Sequence, residues 1–445
     1  MINLSGPFAP NRMSRSERIP TRYSMAGDDC SLHFDLDTLT AKQQQDHASN
    51  QILTAMLQVA LLYIADDGDD VCLYSAFKES PWAEALKTYH HFFSILALAP
   101  LPLANISYHP MHSFYPSVAQ TPTNGKTETL YMISGSNWCL HQSQQLLQMS
   151  QNLNSKTHFA EHAPRFGLPV PSTLIAQKSD LLSAEVADFF SQHDTPVMLK
   201  TLGLAGARNV TTVATAEEAL EHLSEYPPDM ALVLQERLNL EHYTEMTVDL
   251  LVSNENLEIT NVRKLLFANG LWVGNLMGGA VSLTAAHRDQ LLNVGEYARQ
   301  HGFTHPDGYN LGIDYFIRNE SAPASLEEVV ITEINARWTG GLFPAELVRR
   351  LGIEKQPVVA FIDMCPPHDL DAYLAFVSQY LHTQSKAAFS IAPMGFAPFP
   401  VEVEGHQQLF VWQIVIGDFD AFKSAKNQHL GEQVLVTAPL INASI

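Results

Sequence analysis

The chain reads as an α/β protein built from several lobes, and three observations carry that reading. Its 445 residues exceed what one hydrophobic core usually organises, so roughly two to four domains are expected. Hydrophobic residues make up 46% and charged residues 16%, too apolar a mixture for a disordered chain. Short β-type runs alternate with capped helical stretches, and one late segment, Gly312–Pro344, has the pattern of an antiparallel hairpin.

Residues 1–150 form the first α/β unit. The first thirty residues lack an apolar h-region, so no secretory signal is expected, and Arg12, Arg15, Arg18 and Arg22 among serines fit a flexible leader. The apolar helix near 48–64 is interrupted by Thr54 and Gln58, which suits a buried helix and not a membrane span. The acidic turn Asp66–Asp70 lacks the later ligands of a calcium loop and fits a solvated connection into a strand, Val71–Tyr74. A helical stretch near 81–98 follows, and the Pro-rich region from Pro100 to Pro122 is expected to break regular structure.

The second part, 151–230, opens with a helix at Lys156–Ala163, stopped by Pro164 and Gly167, and Leu168-Pro169-Val170-Pro171 leads into a strand. Val197–Lys200 is a short strand that enters a glycine-containing loop. Thr215 and Glu218 have capping-box form and open a helix reaching about Tyr226. The third part, 231–365, carries strands at Ala231–Gln235 and Thr247–Val252, a helix at Thr284–His301 ended by Gly302, and the hairpin strands Gly312–Ile317 and Val329–Ala336. Pro344 suits the first turn of a helix that runs to Leu351 and Gly352. The last part, 366–445, has β-type runs at Phe396–Val403 and Leu409–Val415 and reads as an appended C-terminal lobe.

A formal net charge of −21 argues against non-specific binding to nucleic acid or to an anionic membrane. The four cysteines, Cys30, Cys72, Cys139 and Cys365, are far apart and lack CxxC spacing, which suggests neither a disulfide framework nor a zinc site and suits a reducing cytoplasm. His158 and His162 stand four apart on a helix, but without an evident third ligand they read as a helix-surface pair, and His90, His91, His109 and His112 read as structural.

The chemistry concentrates in a few places. Alternate residues of a strand share a face, so Glu333, Asn335 and Arg337 project one way, and Asp314 on the partner strand can join them. Two carboxylates and an amide oxygen suit Mg²⁺, and an arginine beside them suits an anion. The bland alternative is a solvent-facing strand. Lys200 closes a strand before Gly203–Val210, where small residues let backbone N–H groups approach phosphate oxygens; it is not a Walker A loop. Glu236-Arg237-Leu238 follows a strand and could present backbone groups to an adenine edge, with Glu245 or Glu241 accepting ribose hydroxyls. Arg263-Lys264 by itself reads as surface charge. Gly340-Gly341 before Pro344 opens a helix whose N-terminus could hold a substrate carboxylate, or is a simple turn.

In this order the pieces resemble the ATP-grasp superfamily over residues 154–352. Lys156 stands eleven residues before Gly167-Leu168-Pro169-Val170, as the family's first phosphate lysine does, and Lys200 with Gly203 and Gly206 matches its second lysine and lid. Glu236, Arg237, Leu238 and Glu245 match the nucleotide hinge and ribose acid; Asp314, Glu333, Asn335 and Arg337 match the metal strands. Arg263-Lys264 stands where some members place a substrate or γ-phosphate contact, a role that only the resemblance implies. Thr201 replaces the usual proline and Asn209 the usual last lid glycine. The resemblance implies an ATP-grasp fold with an N-terminal α/β pre-grasp domain, and an ATP-dependent carboxylate–amine ligase of the amino-acid or peptide type. ATP and one or two Mg²⁺ (Mn²⁺ able to substitute) are its implied cofactors, Lys200, Arg263 and Arg337 its implied catalytic groups, and ADP and phosphate its products. It implies small-molecule carboxylate and amine partners in the cytoplasm, no nucleic acid or membrane, and allows a homodimer. A carboxylating or acid–thiol ligase, and a regulatory ATP-binding protein without turnover, are the competing readings.

Overall fold

The computed structural model describes residues 2–4, 19–26, 32, 36–193, 196–201, 210–268, 271–279, 281–365, 370–398 and 409–431. Strands β1 (Ile2–Asn3), β2 (Thr21–Ser24), β3 (Asp70–Tyr74), β4 (Ile106–His109) and β5 (Thr127–Leu130) form a wholly parallel sheet in the order β1-β5-β2-β3-β4. Parallel neighbours need crossovers, and the helices Ala41–Ile64 and Trp82–Ile95 supply two of them. The first helix starts at a capping box, Gln43 N donating to Thr40 Oγ1 at 3.3 Å and Thr40 N to Gln43 Oε1 at 2.9 Å. Gln58, the interruption in its apolar run, is fully buried and satisfied: Nε2 donates to Met25 O at 2.6 Å and Oε1 accepts from Tyr74 N at 2.9 Å.

Three local expectations are corrected. The Pro-rich region contains β4 and the helix Phe114–Ala119, because Pro102 precedes the short turn Leu103–Asn105 and Pro110 directly follows β4, so neither removes a ladder donor from it. Arg22 lies inside β2, buried against Glu128, and so is no part of a leader; Arg12, Arg15 and Arg18 lie outside the described residues. Asp69 is buried, not solvated, and caps backbone donors, accepting from Thr21 N at 2.7 Å and from Asp66 N at 2.9 Å.

A second, antiparallel sheet consists of β6 (Thr173–Gln177), β7 (Val197–Thr201), β8 (Val210–Val213) and β9 (Ala231–Gln235) in the order β6-β9-β7-β8. With the helices Ala184–Ser191 and Ala216–His222 it encloses a core of its own around Leu181, Val186, Val197, Leu199, Leu232 and Leu234. The third sheet has eight antiparallel strands: β10 (Tyr243–Val252), β11 (Leu257–Ala268), β12 (Leu271–Gly278), β13 (Tyr309–Arg318), β14 (Val329–Asn335), β15 (Pro357–Cys365), β16 (Phe389–Pro398) and β17 (Leu409–Gly417). Their order is β14-β13-β10-β11-β12-β15-β17-β16. The C-terminal strands thus continue the sheet beyond β15, covered by the helices Leu370–Gln379 and Phe419–Leu430. Phe396 of β16 packs at 5.5 Å on Tyr89 and 5.7 Å on Trp82 of the N-terminal unit, so this sheet and the parallel sheet share one core. Among the described residues, no helix is long and apolar enough to cross a membrane.

Candidate functional site

One face of the eight-stranded sheet is polar where an apolar core would be expected. Register places Thr247 of β10 opposite both Asp314 of β13 and Arg263 of β11, and Asp314 opposite Glu333 of β14. Glu245 and Asp249 follow the same alternation on β10. The hairpin β13–β14 thereby brings Asp314, Glu333 and Asn335 together, with Asn335 Nδ2 donating to Asp314 Oδ2 at 3.1 Å. Arg337, just past β14, donates to Asn335 Oδ1 and, at 3.4 Å, to Asn154 Oδ1.

Lys156 reaches this group from the N-terminus of the helix Lys156–His162, its Nζ 2.5 Å from Glu333 Oε1. The turn after that helix is fixed to the same hairpin, since Ile331 N donates to Pro169 O at 2.7 Å. The spacing from Lys156 to Gly167-Leu168-Pro169-Val170 therefore has a physical meaning: the turn binds the edge of β14 and the lysine reaches that strand's carboxylate, Glu333. Lys200, at the end of β7, faces the cluster from the smaller sheet. Burial lowers its pKa to about 8, opposed by Glu333, reinforced by Lys156 and opposed again by Glu245 and Asp314. All four of those side chains act on it across the cleft.

The carboxylates differ in character. Burial, then the charge of Glu333, raises Asp314 to about 6 against hydrogen bonds from Thr247 and Asn335 and the charge of Arg263. Burial also opposes ionisation of Glu333, but Lys156, Lys200 and Arg337 outweigh it and hold that carboxyl below the usual range. Burial and then Asp314 raise Glu245 to about 7, offset in part by Lys200. Two facing carboxylates, one of them paired with Lys156, and the amide oxygen of Asn335 are a hard donor set that fits Mg²⁺ sharing its other positions with water and phosphate. Among the described residues, no three His, Cys, Asp or Glu side chains gather into an all-protein metal cage. His158 and His162 are not a metal pair: their rings stack at 4.0 Å, with His301 edge-on at 5.5 Å from His158.

The residues expected to form a nucleotide hinge lie at the end of β9. Glu236 N donates to Ser172 O at 2.8 Å and Glu236 Oε2 accepts from Ser172 N at 3.3 Å, while Arg237 is exposed and Leu238 half-buried. Glu241 is exposed nearby, whereas Glu245 shares the field of Lys200 and Asp314. Gly203 and Gly206, with the rest of 202–209, lie outside the described residues. Arg263 is 1% exposed, and its guanidinium donates to Asp249, Asn261 and Thr339. The missed groups are Asn154, Thr247, Asp249, Asn310 and Thr339. Counting by twos from Glu245 along β10 reaches Thr247 and Asp249. A cavity of about 740 Å³ lies elsewhere, against the parallel sheet, where Arg22, Lys126, Glu128, His141, His305 and Tyr309 line it.

No protein-family profile matches the chain, and no curated protein matches it by sequence. Solved structures do match in fold. An N5-carboxyaminoimidazole synthase from Aspergillus clavatus, in complex with ADP and 5-aminoimidazole ribonucleotide, is 13% identical with a TM-score of 0.53, covering 92% of this chain and 97% of its own. The phosphoribosylamine–glycine ligase of Thermotoga maritima is 12% identical with a TM-score of 0.52, covering 92% and 96%. The biotin carboxylase domain of the Hydrogenobacter thermophilus 2-oxoglutarate carboxylase, a dimer holding MgADP, ADP and bicarbonate, is 11% identical with a TM-score of 0.50, covering 93% and 91%. Together with the parallel sheet, the small lysine-bearing sheet and the polar face of the large one, these likenesses show that the chain has the ATP-grasp fold.

Proposed function

We propose that the protein is an ATP-dependent carboxylate–amine ligase that forms an amide through an acyl phosphate and releases ADP and phosphate. The observation that carries the proposal is the convergence of Lys156, Lys200 and Arg337 on Asp314, Glu333 and Asn335. Phosphoryl transfer is mainly positioning and charge neutralisation, and this cluster offers both. Lys156 and Lys200 are placed to hold phosphate oxygens, and Arg337 presents a planar donor fork to an anion. Asp314, Glu333 and Asn335 would hold Mg²⁺, which when bound neutralises phosphate oxygens as charge moves toward the leaving group. The substrate carboxylate attacks the γ-phosphorus with loss of ADP; the amine then attacks the acyl carbon, and phosphate departs with one of the original carboxylate oxygens. The structures of similar fold with bound ADP, and one with MgADP, support this use of nucleotide and metal.

A second reading takes bicarbonate as the carboxylate, which would make the reaction a carboxylation of the amine. The likeness to N5-carboxyaminoimidazole synthases and to a bicarbonate-bound biotin carboxylase domain favours it. One experiment tests both. An ADP-release screen of amino acids, dipeptides and bicarbonate with amines finds the pair, and the carboxylate is then labelled with ¹⁸O. Labelled phosphate with ADP is expected; AMP with pyrophosphate, or unlabelled phosphate during product formation, would replace the acyl phosphate by an adenylate route.

A further inference from the structure

Asp249 is fully buried beneath the polar face, and every hydrogen bond to its carboxylate comes from a different segment. Arg263 Nη1 of β11 donates to Oδ2. Thr339 Oγ1, in the turn after β14, lies 2.9 Å from Oδ1 and 3.2 Å from Oδ2, and accepts from Arg263 Nη2 at 3.3 Å. Asn310 Nδ2 of β13 lies 3.2 Å from Oδ1. The same amide also donates to the carbonyl of Arg337 at 3.1 Å. From Arg337 the chain of contacts continues through its guanidinium to Asn335 Oδ1, and from Asn335 Nδ2 to Asp314 at 3.1 Å. One hydrogen-bonded path thus runs from Asp249 to the carboxylate pair.

The backbone at Arg337 is held partly through that path, while the next residue is anchored separately, Trp338 N donating to Tyr131 O at 3.1 Å. β14 ends at Asn335, so Arg337 lies past the ladder that fixes Glu333 and Asn335. Its main chain is held by the turn bond from Arg337 N to Asn335 O at 2.8 Å and by Asn310. On the far side, the Gly340–Gly341 turn rests on the Arg263 guanidinium so closely that a Cβ at Gly341 would come within 2.3 Å of Nε. Gly312 leaves equal room for Thr339, whose Cγ2 would lie 2.2 Å from an added Cβ. A charged pair at this depth, with both glycines cleared around it, holds the segment 337–341 in one place.

We infer that Asp249 is the positioning residue of the site: through Asn310 and Thr339 it sets Arg337, and through Arg337 the metal-facing amide of Asn335, with Arg263 as its buried counter-charge and not a phosphate contact. The inference rests on reading Asp314, Glu333 and Asn335 as metal-holding groups. Partners behind metal ligands typically change metal affinity roughly 10- to 100-fold when removed. The test is calorimetric binding of ADP with Mn²⁺ and, separately, with EDTA, alongside melting temperature, for the wild type, Asn310→Ala, Thr339→Val and Glu333→Gln. Both Asn310→Ala and Thr339→Val leave the Asp249–Arg263 pair in place, so either can be read if the other fails to fold. The expected result is a loss of about tenfold or more in Mn²⁺-dependent ADP affinity with the EDTA affinity near wild type, the melting temperature serving to show that each variant is folded at the temperature of the titration. A loss in Glu333→Gln with none in Asn310→Ala and Thr339→Val overturns the inference and leaves the metal reading standing. An equal loss with Mn²⁺ and EDTA shows general loosening and overturns it too. If wild-type ADP binding is indifferent to Mn²⁺, both the metal reading and the inference fall.

Discussion

Replacing Lys156 by methionine separates two roles that the lysine plays in opposite directions. Its Nζ lies 2.5 Å from Glu333 Oε1, and the two side chains are 11% and 22% exposed. At an effective dielectric of about 20, two unit charges at that separation attract by roughly 7 kcal/mol before desolvation is counted. Water at the mouth of the cleft screens the pair, so about 3 kcal/mol is the working figure, at the low end for breaking a buried pair. Without the ammonium, Glu333 faces Asp314 with less compensation, and a divalent cation no longer competes with a fixed positive charge. At about 1.4 kcal/mol per tenfold, the nucleotide-free Lys156→Met protein should bind Mn²⁺ roughly 10- to 100-fold more tightly than wild type. ATP affinity should fall at the same time, because the phosphates lose a lysine. Mn²⁺ titration followed by electron paramagnetic resonance at pH 8, then calorimetric ATP binding, measures both. Unchanged or weaker Mn²⁺ binding in a folded Lys156→Met protein would refute the idea that lysine and metal share Glu333.

Glu333→Gln and Asn335→Ala should each abolish ATP turnover while the fold stays intact, since lost metal stabilisation of the transition state costs several kcal/mol; unchanged ADP production would remove the metal assignment. Gly341→Ala should destabilise the protein by about 1–3 kcal/mol, because the new Cβ meets the buried Arg263 guanidinium and not a yielding surface side chain. A denaturation midpoint equal to wild type would show that the turn can move away. His109 hydrogen-bonds Ser107 and Ser117, and burial followed by Arg22 and Lys78 lowers its imidazole to about 4 from about 6.5 when unfolded. Between those values the unfolded chain holds the extra proton, so stability falls as pH drops from about 6.5 to about 4 and is untouched by this group above 6.5. His109→Gln should flatten the urea midpoint over that range, and an identical slope would assign the acid sensitivity elsewhere.

The part of the site legible in the sequence is the part built from local periodicity. Glu333 and Asn335 share a face because strands alternate, and Thr215 and Thr284 cap the helices they precede, accepting from Glu218 N and His287 N. What stayed hidden depends on register between distant strands. Asp249 reads as one polar residue in a valine- and leucine-rich run, and its partner Arg263 lies across a hairpin with a bulge at Asp249/Leu250. β11 has no clean apolar pattern because Asn261 and Arg263 break it on the face that serves the polar cluster, while Lys264 breaks it on the other. β15 was missed for another reason: Pro357 opens it and Asp363 interrupts it, the latter buried and paired with Lys426 from the C-terminal helix. The continuation of the sheet through β17 and β16 follows from pairing that no local pattern encodes.

The separation of two hydrophobic cores means that the molecule has two grades of cooperativity. The parallel sheet and the eight-stranded sheet should melt as one block, because they share one apolar core; the four-stranded sheet rests on a small core of its own. A unit of that kind can open by itself, at a free energy below that of global unfolding. Amides of β7 and β9 should therefore exchange with deuterium through a sub-global opening, while those of β10 and β13 wait for the whole chain. Since Lys200 is carried on the looser unit and Glu333 on the tighter one, a ligand that touches both would couple the two exchange classes, making the protection of β7 a direct report on occupancy of the cleft.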